Sequence, residues 1–263
     1  MRLKTYSTIW LMIAKNTLQE AFINRWTNLL FFLGKIARFA MSLVFIFLIR
    51  SQVSQVGDYS TDELVIFFLT YVVVDTSAQV LFRGVYLFSH WVRNGDFDFY
   101  LAKPINPLFR ALTGKPDFND ALFLPVTIII GIYIVSQLGL IFSSWQILGY
   151  LALILNGLLL ATALHILVLS MGILTTEVDG VIWLYRDLAK LGQIPVTFYL
   201  EIVRLALTFL FPIGIMITVP AQYLIGVKLS VGLPIVITFS ISFFWLSLRT
   251  WNWCLKRYSS ASS

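Results

Sequence analysis

Residues 147–174 have the sequence ILGYLALILNGLLLATALHILVLSMGIL, 28 positions without one Asp, Glu, Lys or Arg. A helix needs about 20 apolar residues to cross the hydrocarbon core of a bilayer, so this run predicts a membrane span. Five further apolar stretches on either side of it complete a set of six predicted spans: residues 29–49, 64–82, 122–142, 194–219 and 231–248. The mean hydropathy of +0.84 and the charged fraction of 12% exclude a soluble domain. The sequence therefore predicts an all-α membrane protein with a single transmembrane domain over residues 1–263.

Positive charge lies mostly on one set of connections between the spans. Lys and Arg cluster before the first span, between the second and third, between the fourth and fifth, and after the sixth. The opposite connections carry only Arg50 and Lys228. Because positive residues near span ends stay in the cytoplasm, both termini are expected on the cytoplasmic side. This asymmetry also accounts for the formal net charge of +6, so no nucleic acid is expected among the partners.

The N-terminal segment, residues 1–27, has the pattern of an amphipathic helix. Polar residues such as Lys4 and Lys15 occupy one side, and apolar residues recur at roughly helical spacing on the other: Tyr6, Ile9, Trp10, Ile13, Leu18 and Phe22. Such a helix is expected to lie on the membrane surface in contact with lipid. The alternative is a soluble helix packed on a partner protein.

The longest polar connection is residues 83–120, between the second and third spans. Within it, Asn106 is a good N-cap, Pro107 suits a first helical turn and Gly114 suits a helix end, so a short helix is predicted between Asn106 and Gly114. Its apolar face is expected to contain Leu108, Phe109 and Leu112. That face either rests on lipid headgroups or enters a groove of another protein.

Among the ionisable residues inside predicted spans, three are the most informative, because a charge there costs roughly 2.5–3.5 kcal/mol unless it is paired or hydrated. Lys35 and Arg38 share one face of the first span, and Asp75 lies at a similar depth in the second. One interpretation of this charge cluster is a buried ion pair of Asp75 with Lys35 or Arg38. The other is a polar lining for an acidic or amphiphilic substrate.

Two smaller features lie in the connection before the predicted fifth span and near the start of that span. Residues 177–190 are predicted to form a second cytoplasmic surface helix, or else an extension of the fourth span. Glu201 and Arg204 are predicted to form a local ion pair near the cytoplasmic end of the fifth span.

Residues 95–109, GDFDFYLAKPINPLF, resemble the G-x-F-D-x-x-L-x-[RK]-P-x-N-P-L-F signature of the ABC-2 type permease family. A second similarity lies after the predicted fifth span, where Phe211-Pro212 is followed by Pro220-Ala221 and Gly226. Six spans and an amphipathic N-terminal helix are similar to this family as well. The resemblance implies an ABC-2, type V exporter-like permease fold.

The resemblance further implies the permease subunit of an ATP-driven exporter in the cytoplasmic membrane of a bacterium. Two permease subunits, as a homo- or heterodimer, would form the pathway, and separate ABC ATPase subunits would dock below. By this resemblance residues 83–120 form the coupling loop, and residues 220–233, including Pro220, Ala221 and Gly226, form short re-entrant helices; the alternative for residues 220–233 is an ordinary outer loop. The coupling role falls on motif and helix residues: Gly95, Asp96, Asp98, Pro104, Asn106, Pro107, Leu108, Phe109, Arg110 and Leu112.

The sequence itself carries no G-x-x-x-x-G-K-[ST] loop for binding nucleotide phosphates. Gly114-Lys115-Pro116 lacks both the upstream Gly and the following Ser or Thr. No catalytic residues and no metal site are expected, so ATP and Mg²⁺ would bind to the partner subunit. The alternatives are an ion-gradient-driven secondary transporter and a non-transporting membrane scaffold, because neither requires a nucleotide site in the complex.

Overall fold

The computed structural model describes residues 2–175 and 178–258 as a helical bundle with one short β-hairpin. The elements in chain order are α1 (Arg2–Ile23), α2 (Arg25–Gln52), β1 (Gln55–Val56), β2 (Tyr59–Ser60), α3 (Thr61–Phe82), α4 (Phe88–Arg93), α5 (Asp96–Leu101), α6 (Pro107–Thr113), α7 (Phe118–Gln137), α8 (Ser144–Thr175), α9 (Asp179–Lys190), α10 (Glu201–Leu205), α11 (Val219–Ile225) and α12 (Leu233–Leu255). Five helices are long and apolar enough to cross a membrane: α2, α3 continued into α4, α7, α8 and α12. The predicted all-α membrane fold is confirmed, as are five of the six predicted spans.

The two ends of the bundle are named here after residues that lie at them. The antiparallel hairpin β1–β2 lies at the Tyr59 end, where Gly57 makes the turn with φ of +59°. Ser60 then caps α3, because its hydroxyl accepts from the Glu63 amide at 3.2 Å while the Glu63 carboxylate accepts from the Ser60 amide at 2.7 Å. Helices α4, α5 and α6 pack together at the opposite end, the Phe97 end.

The predicted fifth span, residues 194–219, is wrong. The chain there forms α10 and α11, each extended by a π-helical turn, with a bend of 81° at a break that contains Pro212. Thr197 before this pair and Gln222 near its end both donate to the hydroxyl of Tyr59, at 3.4 and 2.7 Å. Since both flanks reach the same residue, the pair enters and leaves at the Tyr59 end. It is a re-entrant segment and not a crossing.

The remaining crossing is made by residues 178–198. At the Phe97 end the Val178 amide donates to the Ser89 hydroxyl at 2.7 Å, and at the opposite end Thr197 reaches Tyr59. Between these points the Tyr185 ring contacts His165 of α8, with ring centroids 4.8 Å apart. Both predictions for residues 177–190, a surface helix and an extension of the fourth span, are therefore wrong for the described part; Thr176 and Glu177 lie outside the described residues. Hydropathy misses this crossing because α9 carries four charges: Asp179, Arg186, Asp187 and Lys190.

The re-entrant segment occupies residues 201–225, earlier than the predicted residues 220–233. Pro220 and Ala221 are buried in its returning helix, α11. Gly226 ends that helix in the left-handed region with φ of +75°. The prediction of a re-entrant structure in this part of the chain is thus corrected in its boundaries.

Glu201 and Arg204 form the predicted local ion pair, with a nitrogen–oxygen distance of 3.6 Å. The pair lies at the Tyr59 end, whereas the prediction placed it at the same end of the bundle as the connection 83–120. Both side chains are exposed to a degree at which such a pair contributes about 1 kcal/mol or less to stability.

Helix α1 forms as predicted and runs along the Phe97 end of the bundle. The Glu20 carboxylate is 2.6 Å from the Lys115 ammonium group, and the Phe22 ring lies 6.3 Å from that of Phe118. Tyr6, on the face predicted to meet lipid, instead contacts the protein. Contact of this helix with the membrane surface stays a prediction.

Candidate functional site: a folded loop and a charged cavity

The connection 83–120 is folded and packed, because its motif residues build local structure. Gly95 adopts φ of +76°, which a residue with a Cβ rarely takes, and so lets α5 turn back from α4. Phe97 is fully buried, and its ring lies 5.0 Å from Phe88, 6.3 Å from Trp251 and 5.2 Å from Tyr258. The motif thereby joins the end of the second span to α12 and the residues after it.

Asp96 and Asp98 lie in the first turn of α5, where carboxylates complement the helix dipole. Burial and the neighbouring Asp98 carboxylate raise the pKa of Tyr258 to about 12. The Tyr258 hydroxyl therefore stays protonated at neutral pH beside this aspartate.

The predicted helix between Asn106 and Gly114 is confirmed as α6. Its first turn begins with Pro107, and the Asn106 side chain accepts from the Leu108 amide at 2.9 Å. Arg110 donates to the Gly114 carbonyl at 3.1 Å and lies 5.0 Å from the centroid of the Tyr100 ring. Cap and arginine together hold both ends of a helix that has only seven residues.

The predicted outward apolar face of α6 is wrong for two of its three residues. Leu108 and Leu112 are only 8% and 7% exposed and face the core of this chain. The backbones approach closely here, since a Cβ on Gly84 would lie 2.5 Å from the Ala111 carbonyl oxygen. Phe109 is half-buried, with its ring centroid 4.8 Å from that of Tyr6 in α1.

The exposed part of the loop is a different segment, residues 99–104, which we call the tip. Phe99 is 68% exposed, Leu101 is 37% exposed, and Lys103 and Pro104 are exposed as well. The sequence motif contains this stretch but does not distinguish the buried Phe97 from the exposed Phe99. Only the packing against α12 separates the two aromatics.

A large cavity lies above the loop. It has a volume of about 1330 Å³ and is bounded by the ends of α1 and α2, by α3, by the start of α7 and by α9. Lys35, Arg38 and Asp75 all line it, so the structure brings the predicted charge cluster together. Toward the Tyr59 end the cavity is closed by an aromatic seal, in which the Phe39 ring lies 5.9 Å from Phe68 and 5.8 Å from Phe123.

The predicted ion pair of Asp75 with Lys35 or Arg38 is wrong. The Lys35 ammonium lies 2.5 Å from the Asp120 carboxylate and 3.9 Å from that of Asp117. Asp117 also faces Arg83 at 3.4 Å. Lys35 is thus held by the start of α7, a contact between the first and third spans that sequence spacing does not reveal.

Several polar groups in the cavity wall have no partner among the described residues. Arg38, Asp75 and Arg186 form no salt bridge there, although Asp75 and Arg186 are within electrostatic range of one another. The amide group of Gln79, 2% exposed, and the hydroxyl of Tyr86 make no well-formed hydrogen bond among the described residues, although Gln79 lies near enough to Asp75 and Tyr86 to interact with both. Sequence reasoning missed Arg186 because it placed α9 outside the membrane. It could have found Gln79, which is one helical turn from Asp75 on the same face.

The architecture defines a class of protein: a multi-pass α-helical membrane protein with a packed loop at one end and a charged cavity between its spans. A family model described as ABC-2 family transporter protein matches residues 36–262, and the chain belongs to that family. It is thereby the membrane-embedded permease component of an ABC transporter, and membership implies an ABC ATPase partner. Neither the curated proteins nor the solved structures contain a match to this chain.

Proposed function

We propose that this permease is the membrane subunit of an ATP-driven exporter. A separate ATPase subunit binds ATP with Mg²⁺, and a second permease subunit, identical or different, completes the pathway. The Phe97 end and both termini face the cytoplasm of a bacterium, in keeping with the positive charge concentrated at that end. The absence of a nucleotide-binding loop from the sequence supports a division of labour between subunits.

We propose that the ATPase subunit docks on the tip. The exposure of the tip is the observation that carries this proposal. Phe99 is an aromatic side chain left 68% exposed on a loop whose other aromatics are packed. Leu101 and Pro104 extend the apolar surface, and Lys103 provides a charge beside it. Exposed aromatic anchors with polar neighbours are typical of protein interfaces.

The loop is suited to transmit force because α4 continues α3 and Phe97 is packed against Trp251 of α12. A displacement of the tip would therefore move both the second and sixth spans. The second span carries Asp75 and Gln79 in the cavity wall, so ATP-driven closure of the partner would change the shape of the cavity.

The test is an affinity purification of the tagged chain from its native host in mild detergent. We expect the wild-type protein to retain an ATPase with vanadate-sensitive activity, and Phe99→Asp to lose it, because a buried carboxylate at the interface is left unpaired. Trp145→Asp is the matched control, since Trp145 is 76% exposed but lies at the start of α8, at the Tyr59 end.

Loss of the ATPase with Phe99→Asp alone supports both the exporter and the tip. Equal recovery with both variants would exclude the tip as the docking surface. A folded wild-type protein that retains no ATPase, or that transports with an ion gradient alone, would overturn the exporter.

A further inference from the structure

We infer that the charged cavity binds an amphiphile with an anionic, phosphate-type headgroup. The binding claim stands on the cavity itself, while its meaning as an export substrate rests on the proposed function. The inference uses three observations: unpaired positive charge, unsatisfied hydrogen-bonding groups and an apolar side to the same cavity.

Positive charge remains after the ion pairs of the cavity are counted. Lys35 is engaged by Asp120, Arg83 by Asp117 and Lys115 by Glu20. Arg38 on α2 and Arg186 on α9 form no salt bridge among the described residues; Asp75 is within electrostatic range of Arg186, so these three groups leave one net positive charge. Both arginines line the same cavity, and a guanidinium group can bind the oxygens of a phosphate in a bidentate manner.

Hydrogen-bonding groups beside these arginines can also serve a ligand. The Gln79 amide and the Tyr86 hydroxyl are buried in the wall without a well-formed hydrogen bond among the residues described, although Gln79 lies near enough to Asp75 and Tyr86 to interact with both. Buried polar groups of folded proteins are nearly always fully paired, so this cluster has hydrogen-bonding capacity left for a ligand group. Asp75 lies one helical turn from Gln79 and can accept from a hydroxyl group next to the phosphate.

The cavity is not polar throughout, which favours a ligand with an apolar chain. Leu30 and Phe31 line the α2 side and are 71% and 65% exposed, and Phe118 lines the α7 side. The aromatic seal closes the end toward Tyr59. A headgroup at Arg38 and Arg186 would thus leave its chain beside apolar side chains of the cavity wall, of which Leu30 and Phe31 are mostly exposed in this protein.

The experiment is native mass spectrometry of the purified full chain in neutral detergent, without nucleotide, titrated with lysophosphatidic acid. Two matched probes separate its parts: monoacylglycerol has the chain without the phosphate, and glycerol 3-phosphate has the headgroup without the chain. We expect saturable binding of one lysophosphatidic acid molecule, at least about tenfold tighter than either probe.

Arg38→Gln and Arg186→Gln are each expected to weaken this binding by about tenfold, as the loss of one charge-assisted contact does. The control is Arg249→Gln, because Arg249 is exposed on α12, 4.7 Å from the Trp245 ring centroid, and does not line the cavity. This variant should bind as wild type does.

Gln79→Met distinguishes a ligand contact from a structural one. Replacing an unpaired buried amide by an apolar side chain of similar size should leave the melting temperature unchanged or raised, while binding weakens. A lowered melting temperature with unchanged binding would show that Gln79 serves the fold.

The inference is overturned if monoacylglycerol binds as tightly as lysophosphatidic acid, if glycerol 3-phosphate does so, or if the arginine variants have no effect. The first outcome would show that the phosphate does not contribute to binding, and the second that the acyl chain does not. The third would show that the lipid binds outside the cavity. Because nucleotide and ATPase are absent, failure here leaves the purification test of the exporter untouched. If the protein retains no ATPase in the purification test but binds lysophosphatidic acid here, the binding site stands and the exporter function does not.

Discussion

At the residue scale, Lys35 and Asp75 show that depth alone does not select ion-pair partners. Both were expected at one level of adjacent spans, yet Lys35 pairs with Asp120 at the start of α7. Helix spacing gives depth to within a few ångströms but leaves the rotation of each helix about its axis open. The direction of each side chain therefore had to come from packing.

This pairing predicts different effects for two aspartates that line the same cavity. Asp120→Asn should destabilise the protein by about 2 kcal/mol, because the half-buried Lys35 ammonium loses its closer partner and keeps only Asp117 at 3.9 Å. Asp75→Asn should not lower stability, since Asp75 forms no salt bridge among the described residues. The stability of both variants can be measured by thermal unfolding, with size-exclusion chromatography as the readout of folded protein.

The charge swap Lys35→Asp with Asp120→Lys should recover part of the lost stability, because it restores opposite charges at the same contact. A destabilised Asp75→Asn beside an unchanged Asp120→Asn would contradict this assignment and favour the pair predicted from spacing.

At the element scale, the crossing by residues 178–198 and the re-entrant pair 201–225 determine the topology. The apolar pair looks like a span to hydropathy, and the charged α9 does not. The charges of α9 are tolerated because Arg186 faces the cavity and the Lys190 ammonium lies 2.7 Å from Asp187. The apolar composition of a helix shows that it could be buried. Whether the helix crosses the membrane depends on which neighbouring helices cover its faces.

Single cysteines on the two sides of this crossing test it. In a Cys254→Ser background, Leu200→Cys should react with a membrane-impermeant thiol reagent from outside intact cells, because Leu200 is 79% exposed at the Tyr59 end. Gly180→Cys, exposed at the Phe97 end, should react only after permeabilisation. The readout is labelling of the purified protein.

Labelling of both cysteines from the same side would contradict the crossing by residues 178–198. Those residues would then lie at the membrane surface, and the bent pair 201–225 would be the span. Labelling of Gly180→Cys alone from outside would keep the crossing and reverse the orientation proposed for the bundle.

At the scale of the whole molecule, the folded loop lies between the exposed tip, residues 99–104, and the spans that line the cavity. Its buried residues connect the second span to α12, and its tip is left free. A polar loop without such packing could move without shifting the spans. Mechanical coupling needs the rigid connection that Phe97 provides.

Phe97→Ala should therefore loosen the loop, since removing a buried aromatic ring costs about 3–5 kcal/mol. We expect faster tryptic cleavage at Arg93 and Arg110, measured on the purified protein by mass spectrometry. Phe99→Ala, at the exposed position two residues later, should be cleaved like wild type. Equal cleavage of both variants would mean that Phe97 does not hold the loop to the bundle.

The sequence by itself determined the membrane class, five of the six crossings, the cap and first turn of α6, and the family. These follow from local quantities: the length of apolar runs, and the fit of Asn106 and Pro107 to a helix start. Only the tertiary structure decided that Leu108 and Leu112 face inward, that residues 178–198 cross, that Lys35 meets Asp120, and that Arg38 and Arg186 form no salt bridge within the described part of the chain. The physical reason is that burial and ion pairing in a bundle depend on how each helix is rotated against its neighbours, and neither hydropathy nor spacing along one chain contains that rotation.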